Sequence, residues 1–234
     1  MEKKSKSIIG NEISSWPLMY LSGSTLPLGA FSWSKGLETL CAEAEITDSQ
    51  SLSRHLKICL TQGVGRLDLP ILSQAFLAAV GQDAGKFWEL DNLSLALRDT
   101  FEDRLEETEG GRAVARILEN LLLIPDWLDG DLNYGQVCGF ALLAAALGLG
   151  EESVQAVNEA WAMSFVQNQT AAAARCLPLG QGELQRILVA LGPVVQAVSV
   201  AAVLIEQQDI GSNLLALSIF KARHERQRVR LFRS

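Results

Sequence analysis

Two histidines, His55 and His224, are all the chain offers for proton transfer near neutral pH, so their surroundings decide how much acid-base chemistry is open to it. His55 stands four residues before Cys59. That spacing is one helical turn, so the two side chains share a face and could both touch a soft metal. No third ligand stands beside them, and a partly exposed histidine next to a core cysteine explains the pair without a metal. His224-Glu225 is half of a zinc-protease motif, but Arg228 occupies the place of the second histidine, so that site cannot form locally. No serine, histidine and acid are placed so as to reveal a triad. GVGRLD (63–68) and GLGEES (148–153) lack the lysine and the strand-to-helix setting of a phosphate loop. Cys41, Cys59, Cys138 and Cys176 lie far apart with no C-x-x-C, which predicts a reducing, cytoplasmic setting rather than a disulfide framework. The first residues, MEKKSKSIIGNEISSW, carry no apolar run of the secretory kind. These readings predict no catalytic residue, no metal site and no cofactor on this chain.

Four stretches are harder to explain by packing alone. In LSGSTLPLGAFSWSKGLE (21–38), Pro27 and Gly29 fix a loop that carries Leu26, Leu28, Phe31 and Trp33, which fits either a buried loop or a docking surface. In LRDTFEDRLEETEGGR (97–112), Arg98–Glu102 and Arg104–Thr108 stand at i, i+4. The expected reading is a solvated helix face with weak pairs, worth ~0.3–0.5 kcal/mol each. In AAAARCLPLGQGELQ (171–185), Arg175 sits where a helix ends and could cap its carbonyls or face a partner's carboxylate. The chain closes on HERQRVRLFRS (224–234), where a Leu-Phe pair lies among four arginines.

That ending is at odds with the rest of the chain. Residues 220–234 hold six of the twenty Lys/Arg and one of the twenty-seven Asp/Glu, so they carry +5. The remainder, with fourteen basic and twenty-six acidic residues, carries −12. An acidic body opposes binding along a phosphate backbone or an anionic membrane, which predicts no nucleic-acid or membrane partner. Residues 187–205 approach spanning length but contain Gly192-Pro193, Gln196 and Ser199, and are expected to form a buried, kinked helix.

The elements that must position these residues read as helices, because apolar residues recur at helical spacing and alternating β-branched runs are missing. The expected fold is an all-α, single-domain bundle of about ten helices over 1–234, with a mobile segment at 1–15 and a flexible tail at 224–234. TDSQSL (47–52) supplies an N-cap, and Asp68 with Pro70 opens another helix. Gly110-Gly111 is expected to interrupt the helices of 85–123, and Gly192-Pro193 to join two separate segments. QVCGFALLAAALGL (136–149) is apolar all round and is placed at the centre.

In this order, LPLGAFSWSKGLE (26–38), the Arg98/Glu102/Arg104 helix ending in GGR, Gly139 to AAALGL (144–149), ARCLPLGQGELQ (174–185) and HERQRVRLFRS (224–234) resemble the urease accessory protein UreF family. The resemblance runs from about Tyr20 to Ser234. It implies an all-α protein without enzymatic activity that forms a homodimer and joins UreD (also called UreH) and the GTPase UreG. That complex delivers nickel to apo-urease, and nickel is handled by the complex rather than held tightly by this chain. By the same resemblance, His224, Glu225, Arg230, Leu231, Phe232, Arg233 and Ser234 would order on meeting UreD. Pro27, Gly29, Phe31, Ser32, Gly36, Glu38, Arg98, Glu102, Arg175, Pro178, Gly180 and Gln181 would form the UreG-facing or dimer surface. The chain departs from the family pattern at Ala30, Trp33, Tyr134 (where many relatives have histidine) and Arg228-Val229. The competing reading is a helical protein that binds a metal or small ligand through His55/Cys59 or the apolar core.

Overall fold

The computed structural model describes residues 15–23, 26 and 32–233. The expectations placed on residues 1–14, Pro27, Gly29, Phe31 and Ser234 lie outside the described residues. Within them the chain forms ten α-helices and no strands: α1 (Trp16–Ser22), α2 (Leu37–Ala42), α3 (Ser49–Ile58), α4 (Asp68–Val80), α5 (Ala84–Ala96), α6 (Phe101–Leu121), α7 (Gln136–Ala146), α8 (Val154–Cys176), α9 (Gln181–Ala202) and α10 (Leu215–His224). The all-α bundle expected from the sequence is what forms. Asp48 starts α3 as a reciprocal cap, its carboxylate accepting the Ser51 N–H at 2.7 Å.

The apolar segment expected at the centre is there. Residues 137–144 of α7 are fully buried, and α4 and α6 make the largest packings in the molecule against it. Two carboxylates from neighbouring helices satisfy its first amides. Asp91 of α5 accepts the Gly135 N–H at 2.7 Å, and Glu107 of α6 accepts that of Val137 at 3.0 Å.

Three sequence expectations need correction, each for a physical reason. First, α6 runs unbroken through Gly110-Gly111. The two glycines let it approach the start of α7, since a Cβ on Gly111 would overlap the Tyr134 carbonyl and one on Gly110 the Gln136 side chain. Second, four acids in the first half of α6 do not face water. Glu102, Asp103, Glu106 and Glu107 are buried, and each meets a basic side chain: His224 and Arg230, Lys221, Lys35 and Arg98 in turn. Arg98 pairs with Asp68 at 2.7 Å and Glu107 at 3.0 Å, not with Glu102. Third, α9 passes through Pro193 as one helix. Its inner row of Leu184, Ile187, Leu191, Val195 and Ala202 seats both halves on the bundle, so the missing proline N–H is lost on the solvent side. This helix is long and apolar enough to cross a membrane, but only 28% of its most apolar window is buried, so it is not the interior helix expected; Val189, Val200 and, just past its end, Leu204 are exposed.

Candidate functional site

The tail is seated on the body by its first and last residues. α10 ends at His224, which is fully buried between α2 and α6. Its Nδ1 lies 2.9 Å from Glu102 Oε2 and its Nε2 3.1 Å from Glu38 Oε2. Both partners are acceptors when ionised, so a ring satisfying both must donate from both nitrogens as imidazolium, or one carboxyl must keep its proton. Burial pushes Glu102 above the usual carboxylate range, opposed by His224 and Arg230. These two contacts tie the end of α10 to α2 and α6.

Glu38 does more than pair with the ring. Its Oε1 accepts the Leu231 N–H at 2.7 Å, and its Oε2 accepts the Phe232 N–H at 3.1 Å. One buried carboxylate thus fixes two successive amides of the tail, independent of their side chains. Gly36 places Glu38: it starts α2 with φ +84°, a left-handed conformation, and a Cβ there would press on Lys221 of α10 at 3.0 Å. Glu102 completes the grip, taking Arg230 at 2.6 Å through its other oxygen.

The last described residues are locked by stacking. Phe232 is buried, and the Arg175 guanidinium lies 4.4 Å from its ring centroid while reaching the Leu231 carbonyl at 3.4 Å. Arg175 therefore neither caps α8 nor waits for a partner's carboxylate, but holds this chain's own tail. Arg233 lies 4.7 Å over Trp33, donates its backbone N–H to the Ser32 carbonyl at 2.7 Å and pairs with Glu109. Glu225 accepts the Phe101 N–H at 3.0 Å and so caps α6.

The tail expected to be free until it met a partner is thus folded onto the body from His224 to Arg233. The correction has a cause: an acidic body provides buried carboxylates for a basic segment that would otherwise have to repay its own ordering. Of the Leu-Phe pair, Phe232 faces in and Leu231 faces out, 53% exposed, beside Val229 at 80%. Arg226, Arg228 and Arg230 are exposed around them.

The expected site residues therefore divide. Glu38, Glu102, Arg175, Ser32, His224, Glu225, Arg230, Leu231, Phe232 and Arg233 come together at one junction, with Gly36 setting its geometry. Arg98 lies apart, stitching α4 to α6. Pro178, Gly180 and Gln181 form the exposed turn into α9, where Glu183 accepts the Gly180 N–H at 3.0 Å. Sequence reasoning missed Lys35–Glu106, Asp103–Lys221 and the Gln227 contacts to Thr39 and Glu38. The available signal was the row of acids at 102, 103, 106 and 107 running straight into Gly110 and Gly111, which is the stripe of a helix face that packs.

His55 and Cys59 do meet, Nε2 to Sγ at 3.4 Å. Burial lowers His55 to about 4 and raises Cys59 to about 12, which leaves an uncharged pair rather than a thiolate. Among the described residues, no group of three His, Cys, Asp or Glu could hold a metal ion.

Comparison with known proteins matches residues 46–192 to the family model described as UreF. Urease accessory protein UreF of Alcanivorax borkumensis is 34% identical over 225 residues, covering 93% of this chain and 96% of that protein. The protein of that name from Marinomonas sp. is 32% identical over the full length of both. The one from Chromohalobacter salexigens is 35% identical over 217 residues, 93% of each.

Proposed function

The chain belongs to the UreF family of urease accessory proteins, and from that premise we propose that it is a non-catalytic scaffold whose seated tail presents a basic, apolar face to UreD (UreH). In this reading the same scaffold recruits the GTPase UreG and gates GTP-dependent nickel delivery to apo-urease. It works in the cytoplasm as a homodimer, without a tightly bound metal of its own. The observation that carries the reading is the division of labour in the tail. Phe232, the Arg230 guanidinium and two amides are spent on the body, while Val229, Leu231, Arg226 and Arg228 stay outward on a conformation already fixed. A segment ordered before docking does not have its ordering entropy to repay on contact, which favours it as a recognition element.

Co-expression with UreD and UreG homologues tests this. Deletion of 224–234 should abolish the complex. Leu231→Ala should weaken it about tenfold or more, as loss of an apolar anchor does, while the tail stays seated. A complex that survives both changes rules out the tail as the docking element.

The rival reading, a ligand-binding protein working through His55 and Cys59, has the geometry against it. Lys221 acts on both side chains, and its positive charge opposes a cation between them.

A further inference from the structure

The far end of α6 from the seated tail carries an apolar surface that the tail junction does not use. Four apolar residues run in succession from Leu121 to Ile124, with Leu121 46%, Leu122 90% and Ile124 39% exposed. Single apolar residues are ordinary on a surface, but an exposed run of this kind marks a contact site. Leu122 is unfavourable twice over. It closes α6 with φ +55°, and Leu123 then donates its N–H back to the Leu118 carbonyl at 2.9 Å, a turn in which glycine is favoured and a large side chain is strained. The side chain itself lies in water, so no burial within the described chain offsets that strain.

Beside this run lies a groove of about 470 Å³, walled by Val80 at the end of α4, Leu123 and Trp127 of the α6–α7 connection, Leu142 and Ala146 of α7, and Leu149 beyond it. A single water needs only ~10–15 Å³, so the groove has room for side chains. Its charge has one sign. Asp126 lines it, and Asp83, Asp129 and Glu151 stand within two residues of the lining, all four exposed. No Lys or Arg lies within two residues of any described lining residue.

We propose that this groove is a second docking surface, and that it takes an amphipathic segment of a partner protein whose apolar side chains are flanked by Lys or Arg.

The two parts of that chemistry come from separate observations. The exposed leucines and the groove fit the apolar core of an interface, and the four acids fit its charged rim. Those acids steer a basic segment inward and repel an acidic one. They also oppose an anionic membrane and the acidic body of a second copy, which carries −12 outside its tail. The surface is separate from the one ascribed to the tail: the described tail reaches along α6 to Glu109, whereas the leucine run starts at the last residue of that helix.

Two synthetic helical peptides of equal length test this on the isotopically labelled full chain, one with Leu and Lys in amphipathic register and the other with Glu in every Lys position. The Leu/Lys peptide is expected to shift the amides of 121–127 and 145–149, and the Leu/Glu peptide to leave them unmoved. Asp126→Lys should weaken binding of the Leu/Lys peptide about fivefold or more. Leu122→Gly keeps the left-handed turn, so it should melt no lower than the parent while binding that peptide about fivefold or more weakly. Equal shifts from both peptides would mean undirected apolar sticking, shifts confined to other surfaces would leave the groove without its ligand, and a smaller oligomer in Leu122→Gly would assign the groove to a second copy; each of these overturns the proposal. Neither UreD nor UreG takes part in the measurement, so its failure is distinct from a failure of the tail to dock. If either variant does not fold, the comparison of the two peptides on the parent chain decides.

Discussion

A single carboxylate shows how closely this molecule depends on buried acids. Asp91 accepts the Gly135 amide at the start of α7, yet burial raises it to about 6, with the Gly135 amide pulling it down and Glu107 pushing it up. Its folded value thus lies above its unfolded one, so the stability linked to its proton is complete below about pH 3.8 and is lost as pH rises through about 6. The span corresponds to on the order of 3 kcal/mol. Asp91→Asn keeps an oxygen for the Gly135 amide and removes the titration. Denaturant unfolding of the two proteins from pH 4 to 7 should show the variant gaining on its parent as pH rises. A constant difference would mean that Asp91 is ionised throughout. Glu38 contributes to the fold through the acceptors it offers to the Leu231 and Phe232 amides. No spacing rule in the sequence marks it as the residue that would hold Leu231 and Phe232.

Helices carry these carboxylates to their partners, and α6 carries the most. Its acids and its glycines occupy one stripe, the acids meeting cations from the 32–36 loop, the α5–α6 turn and the tail, the glycines meeting α7. A methyl at Gly111 has no room beside the Tyr134 carbonyl, and backbone cannot swing aside as a side chain can. Gly111→Ala should therefore cost about 3 kcal/mol or more in thermal or denaturant unfolding, whereas Gly182→Ala, with open space around it, should be neutral or stabilising. Equal effects at the two positions would contradict the close approach of α6 and α7. The helices themselves were legible from apolar spacing, and the central place of α7 from its lack of a polar face. What was not legible is why glycines stand mid-helix and why acids are inside. A breaker and a close contact give the same residue, and a solvated and a paired acid give the same charge.

At the scale of the whole chain, the separation of charge that first suggested a free basic tail is what folds it. A body at −12 and a tail at +5 attract one another, and the attraction becomes specific where Glu38 and Glu102 are buried around His224. The sequence motifs that stood far apart, SWSKGLE, the α6 acids, Arg175 and the terminal arginines, prove to be parts of one junction. Their convergence could not be read from spacing because it depends on α2, α6, α8 and α10 packing at one end of the bundle. What the sequence did carry was the membership of the parts; what it lacked was the contact among them, and with it the inward turn of Phe232 and the outward turn of Leu231. The direct test is backbone amide exchange at Leu231 and Phe232 in the isolated protein. Both amides should be protected well beyond an unstructured peptide, and Glu38→Ala, which removes their acceptor at a cost of about 1–3 kcal/mol, should cut that protection roughly 5- to 150-fold. Exchange at unstructured rates in the parent chain would contradict the seated tail.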